Sequence, residues 1–159
     1  MVLQKNVLFT GTIYDNIRWR DENASDEEVQ RMCKLAQADG FVNEFPAGYN
    51  TQIVQGGNNV SGGQKQKIAL ARALIHDKPI VIFDEATSNT DAYSEQQING
   101  LLDTKLKEKT VIVITHKKEI LNKVDQIVVL KEGVVIDNGT YDELVGKNEE
   151  LNIMMEKVG

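Results

Sequence analysis

Between residues 25 and 37, SDEEVQRMCKLAQ, apolar positions recur every three to four residues. Val29, Met32, Cys33 and Ala36 fall on one face, the spacing of an amphipathic helix. Ser25 stands just before this run and Glu28 three residues on, which marks a capping box. A second, shorter helix is expected over 39–45, stopped by Pro46-Ala47-Gly48. Residues 49–60 carry Gly56-Gly57 and Asn58-Asn59 and read as loop. Ser61 is a good N-cap for a helix running to about Ile75.

Downstream the period changes. IVIF, 80–83, is a short apolar run bounded by Pro79 and two acids, which predicts a strand buried on both faces of a parallel sheet. A helix is expected at 92–107, and VIVIT, 111–115, as a second buried strand. Residues 126–138 read as a hairpin turning at Glu132-Gly133. Thr140 with Glu143 offers another capping box, opening a C-terminal helical segment. Val2-Leu3 reads as the tail of a strand. Strands alternating with helices give an α/β class. The first sixty residues or so are mostly helical and form a candidate subdomain.

Composition narrows the function classes. Hydrophobic residues make up 41% and charged residues 26% of 159 residues, ordinary for a globular domain with a sizeable core. The net charge of −6 argues against a general nucleic-acid binder, which carries a basic surplus. One cysteine, Cys33, excludes an intrachain disulfide, fits a reducing compartment, and is expected as a packed helix residue. No apolar run approaches the ~20 residues of a membrane span, so the chain itself is expected to be soluble.

The chemistry concentrates in three places. Asp84 and Glu85 follow IVIF directly, and in open α/β sheets ligands bind beyond the carboxyl ends of the strands. One acid there can hold Mg²⁺, and the next can orient or deprotonate a water. The plain alternative is two solvated charges before the next helix. His116 follows VIVIT and is expected at the same end of the sheet, where it can donate to a phosphate oxygen. Alone it would read as a surface histidine. His76, at a helix end, receives no catalytic role. SGGQ, 61–64, sets small residues at a helix N-terminus, where free N–H groups and the helix dipole favour an anion. Alone it would read as a simple cap.

Together these residues resemble the ATP-binding cassette family, specifically the nucleotide-binding domain of an exporter-type ABC transporter. VSGGQ, 60–64, resembles the family signature and IVIFDE, 80–85, its Walker B strand. SNTD, 88–91, resembles the D-loop, His116 the switch histidine, and Gln4 in VLQKNVLFTGTIYDNI the Q-loop glutamine. The resemblance implies a P-loop NTPase-like parallel sheet flanked by helices, with ATP and Mg²⁺ as cofactors. It implies that Asp84 and Gln4 serve the metal, that Glu85 is the base for water, and that His116 meets the γ-phosphate. It further implies that Ser61, Gly62, Gly63 and Gln64 clamp ATP held by a second nucleotide-binding domain, paired head to tail, and that Asp91 couples the two sites. A helical subdomain over about 12–75 would face the transmembrane domains, and 76–159 would be the C-terminal part of the ATPase core. The whole would sit at the cytoplasmic face of the cell membrane.

The sequence departs from the family pattern at three points. Val60 stands where the signature usually has leucine, and Asn89-Thr90 replaces an apolar pair in the D-loop. No G-x-x-x-x-G-K-[ST] is present; Gly146-Lys147 comes nearest, with Tyr141 where the first glycine belongs and Asn148 after the lysine. The family places its P-loop before the Q-loop. The chain is therefore expected to be the C-terminal part of a cassette, with an incomplete sheet and no activity alone. Two other readings stand beside transport: an ABC ATPase of DNA repair or the ribosome, and a non-hydrolysing fragment that binds a partner cassette. The acidic balance and the exporter-like stretch after Gln4 favour transport.

Overall fold

A computed structural model describes residues 2, 6–19, 21–84, 100–101, 104–115 and 118–156. The chain divides into two compact units, 1–114 and 115–159. The first opens with β1 (Gly11–Thr12) and α1 (Ile13–Ile17), followed by α2 (Asp26–Leu35) and α3 (Asp39–Glu44). After β2 (Gln52–Ile53) come α4 (Gly62–Ile75), β3 (Ile80–Asp84) and β4 (Thr110–Ile114). The second unit holds α5 (Lys118–Leu121), the strands β5 (Ile127–Lys131) and β6 (Val134–Gly139), then α6 (Tyr141–Leu144) and α7 (Glu149–Glu156).

The helices begin where their caps dictate. Ser25 Oγ accepts from Glu28 N, and the Glu28 carboxylate accepts from Ser25 N, so two orphan donors of α2 are satisfied at once. The expected face of Val29, Met32, Cys33 and Ala36 is buried. α2 stops at Leu35 because Gln37 turns to φ 51. Thr12 and Asp15 close a further box that starts α1, an element the apolar pattern alone did not indicate. Bonds from Thr12 hold the Asp15 carboxyl below its usual range. The stretch expected as loop, 49–60, contains β2, which pairs antiparallel with β1 at Gly11↔Ile53 and Thr12↔Gln52. These elements share one core with the inward face of the sheet, in which Ile13, Ile17, Val42, Ile53, Ile68 and Phe83 are fully enclosed.

β3 and β4 pair in parallel, in register from Ile80↔Thr110 to Asp84↔Ile114. Val2 flanks β3 on its other side as a parallel bridge to Phe83, with Val2 N donating to Ile82 O and Asp84 N to Val2 O. The strand tail read at Val2 is therefore a sheet neighbour. The expectation of burial on both faces needs correction. Val81 and Phe83 are buried, but Ile80 is exposed, and so are Ile112 and Ile114 at 47% and 50%. One face packs on the helices; no described residue covers the other to the same degree. The helix expected to reach 107 also falls short: residues 104–109 are turns, in which Thr104 Oγ1 donates back to Gly100 O. The rest of that expected helix lies largely outside the described residues.

The second unit follows its prediction closely. β5 and β6 form the hairpin, closed between Lys131 and Val134. Glu132 and Gly133 both take positive φ, 51 and 79, as a two-residue turn of the primed type requires. Ile127 and Val129 pack with Leu121, Leu144 and Leu151. The Glu143 carboxylate accepts from both the N–H and the hydroxyl of Thr140, and α6 starts there.

This packing has two measurable consequences. No described strand pairs with the outer edge of β4, which carries the exposed Ile112 and Ile114. Such edges recruit strands, and burial of their side chains adds roughly 25 cal/mol per Å². The 159-residue chain is expected to self-associate; sedimentation showing a monodisperse monomer with strongly protected β3 and β4 amides would refute this. The second concerns pH. Burial pushes the Cys33 thiol from 9.0 up to about 12, so the folded thiol keeps a proton that the unfolded chain loses. Stability from this group is full below about pH 9 and falls as pH rises toward 12. The urea midpoint is expected to drop above pH 9, and Cys33→Ala to flatten the drop between about 9 and 10. An unchanged slope in the variant would exclude Cys33 as the cause.

Candidate functional site

The first turn of α4 holds the signature-like residues. Ser61 Oγ accepts from Gln64 N at 3.2 Å, and Gln64 Oε1 accepts from Ser61 N at 2.9 Å. The two side chains thus cap the helix by binding each other's backbone. Between them, Gly62 and Gly63 make no hydrogen bond from their N–H groups to any described residue. A Cβ added to either glycine would meet nothing within 4 Å. Neither takes positive φ. The fold of the described residues therefore does not require glycine at 62 or 63, and glycine weakens a helix.

Gly57 differs. It has φ +68, and a Cβ there would stand 2.9 Å from Lys65 Cε and 3.5 Å from Leu8. Lys65 Nζ donates to Gly56 O at 2.8 Å, and Asn59 ties the loop by donating to Gln52 O and accepting from Val54 N. This loop delivers the chain to Ser61 in one defined direction.

Asp84 is the last residue of β3, half-buried at the carboxyl end of the parallel pair. β4 ends level with it at Ile114. Glu85 and His116 come next and next but one in sequence; both lie outside the described residues, as do Gln4 and Asp91. Of the expected site residues, the structure thus describes Ser61, Gly62, Gly63, Gln64 and Asp84, on two separate elements. Among the described residues no cluster of three or more His, Cys, Asp or Glu side chains gathers that could hold a metal ion alone. One carboxylate at a sheet end suits Mg²⁺, which keeps several waters and takes phosphate oxygens. A helix N-terminus with two unengaged amides suits a phosphate. Arg72 and Asn16, which fasten α4 to the chain around Phe9, had no motif to announce them.

The family model described as "ABC transporter" matches residues 1–88, more than half of the chain. The chain belongs to the ABC transporter family. It is 44% identical over 144 residues to an ABC transporter ATP-binding protein of Bacillus subtilis, covering 91% of this chain and 24% of that protein. It is 38% identical over 154 residues to the ATP-dependent lipid A-core flippase of Desulfotalea psychrophila, covering 97% of this chain and 27% of the flippase. Among solved structures, a bacterial Atm1-family ABC exporter with ATP bound matches with a TM-score of 0.91 and 34% identity, over 99% of this chain and 28% of that one. The fold is that of the ABC ATPase, a P-loop NTPase-like parallel sheet flanked by helices, of which the described strands form an incomplete part. The ABC segment spans about a quarter of each of these proteins.

The glycines give a paired test. Gly63→Ala in the 159-residue chain is expected to raise stability by about 0.4–1 kcal/mol, since the native backbone suits alanine and the unfolded chain loses freedom. Gly57→Ala is expected to cost about 1–2 kcal/mol from its left-handed φ. Urea unfolding measures both. A destabilised Gly63→Ala would mean that the fold itself needs that glycine.

Proposed function

We propose that this chain is the signature and Walker B part of the ATP-hydrolysing cassette of an ABC exporter, in which paired cassettes close on ATP to drive transport across a membrane. The observation that carries this reading is the bare first turn of α4. A family member presents two amides and two glycines that its own described residues leave unused, as a phosphate from outside would require. Gly62 and Gly63, with Ser61 and Gln64 holding the turn, meet the γ-phosphate of ATP bound to a second cassette paired head to tail.

At the sheet end, Asp84 holds Mg²⁺ and Glu85 serves as base for the attacking water. Gln4 contributes to the metal and water, His116 contacts the γ-phosphate, and Asp91 links the two sites. ATP, when bound with Mg²⁺, supplies the phosphoryl group to be cleaved. Residues of about 12–75 form a helical subdomain turned to the transmembrane domains, and 76–159 belong to the ATPase core. Val7 and Phe9 just before this subdomain and Trp19 within it leave an exposed apolar surface, with Phe9 and Trp19 stacked at 4.1 Å, suited to such a partner. Among the described residues no helix is long and apolar enough to cross a membrane, so the transmembrane partner lies outside them. The names of the flippase and exporter relatives support transport over the DNA-repair and ribosomal alternative. The cytoplasmic face of the membrane is the location this reading requires.

The sequence contains no P-loop motif, and that cradle with its lysine normally supplies much of the triphosphate binding. The 159 residues alone are accordingly expected to hydrolyse ATP no faster than a buffer control. In a complete cassette protein carrying this segment, Glu85→Gln is expected to slow hydrolysis by ~10²–10⁴-fold while ATP stays bound, because glutamine keeps the shape and loses the basicity. Nearly normal turnover in that variant would move the base role elsewhere, with His116 the next residue to test.

A further inference from the structure

Residues 6–9, just after Gln4, have no regular secondary structure, yet Leu8 is buried. What holds them is a set of side chains from two helices. Asn16, on α1, accepts from Phe9 N at 2.8 Å through Oδ1 and donates from Nδ2 to Phe9 O at 2.9 Å and Thr12 O at 3.0 Å. Arg72, on the last turn of α4, spreads its guanidinium over the same place. Nε donates to Asn16 O at 2.7 Å, one terminal nitrogen to Asn16 Oδ1 at 3.0 Å, and the other to Val7 O at 3.1 Å. Its charge also lies 5.1 Å from the centre of the Phe9 ring, which is stacked on Trp19.

Each of these hydrogen bonds ends on a neutral oxygen. The arrangement reads the fork of a guanidinium, which a lysine's single ammonium cannot reproduce. It ties the segment after Gln4 to the same helix whose first turn is Ser61–Gln64. That turn lies eight to eleven residues upstream of Arg72, ~12–17 Å along a helix of 1.5 Å rise per residue. A second contact brackets the first. Leu8 lies close to Gly57, at the loop that leads into α4: a Cβ on Gly57 would stand 3.5 Å from it. The segment 7–9 therefore touches α4 near its last turn through Arg72 and lies beside Gly57, in the loop that precedes its first turn.

We propose that Arg72, set by Asn16, is a positioning residue that makes residues 6–17 and α4 one mechanical body, so that a displacement of the chain after Gln4 is carried to the Ser61–Gln64 turn. This rests on the reading that the turn clamps a phosphate. Arg72 itself touches no reacting atom.

The test uses Arg72→Lys, which keeps the charge and the stem and removes the fork. In the 159-residue chain, amide exchange is expected to quicken about tenfold or more at Phe9 and also at Gln64 and Lys65 in the first turn of α4. Amides of the β5–β6 hairpin, in the other unit, serve as the reference and are expected to stay unchanged. Faster exchange at Phe9 alone, with Gln64 and Lys65 as in the parent chain, would reduce Arg72 to a local brace and overturn the proposal. Trp19, the single tryptophan, gives a second readout: its emission is expected to shift as Phe9 loosens, even if Arg72→Lys proves too unstable for exchange at 25 °C.

A complete cassette protein separates this inference from the functional reading. There Gly63→Ala is expected to abolish most hydrolysis, and Arg72→Lys to lower kcat several-fold with ATP still bound. A silent Gly63→Ala would remove the phosphate-clamp reading and leave the exchange result to decide the linkage. A damaging Gly63→Ala beside a fully active Arg72→Lys would keep the clamp and remove the linkage.

Discussion

A buried amide has no water to fall back on, and Asn16, 1% exposed, meets that constraint entirely within the protein. Its carbonyl and amino groups bind both backbone groups of Phe9, the carbonyl of Thr12 and the guanidinium of Arg72. Thr12 is at once the cap of α1 and a member of β1, whose partner β2 begins the loop leading to the signature turn. The register of this whole region thus converges on one side chain. Leaving one such buried partner unsatisfied costs about 1–3 kcal/mol, so alternatives in which residues 6–9 drift from α4 are penalised several times over. Burial also pulls Arg72 down to about 10, which still leaves it charged near neutrality. A cation thus sits where no carboxylate answers it among the partners described above. The oxygens of Asn16 and Val7 and the face of Phe9 supply the compensation.

The sheet imposes the second constraint. Parallel pairing in strict register means that β3 and β4 end level, at Asp84 and Ile114. Val2 repeats the same direction on the other side of β3. Three stretches far apart in sequence therefore run toward one edge of the sheet. This is the usual logic of ligand sites at the carboxyl ends of parallel strands.

Local chemistry was legible in the sequence. The boxes at Ser25 and Thr140, the apolar face of α2, the hairpin turn at Glu132-Gly133 and the strands at 80 and 110 all depend on neighbours a few residues away. Their partners can be read from spacing alone. Burial of the sheet was overestimated because an apolar run reports what a strand is suited to, not what covers it. Ile112 and Ile114 have the composition of buried positions and stand half exposed. β2 escaped notice because two residues carry no periodicity. Arg72 and Asn16 escaped for a deeper reason. They are 56 residues apart, and neither an arginine inside an alanine-rich helix nor an asparagine inside a short one signals a partner. Ser61 and Gln64 have the same three-residue spacing as the boxes at Ser25 and Thr140, and they close in the same way.

That box changes what each signature residue can do. Two glycines at the start of a helix raise the entropy lost on forming it, and a helix N-terminus leaves its first amides without partners. Ser61 and Gln64 offset part of this by satisfying each other's backbone N–H groups. Their acceptor oxygens are thereby engaged, while the Ser61 hydroxyl can still donate. The groups left to face outward are the amides of Gly62 and Gly63, unencumbered by any Cβ. An anion approaching this turn would meet backbone N–H first and the serine hydroxyl second, with Gln64 as the strut behind them. Replacing Gln64 would then act through the loosened turn, whereas adding a methyl at Gly63 would act by filling the space itself. The same four residues thus divide into two that shape the turn and two that leave it open.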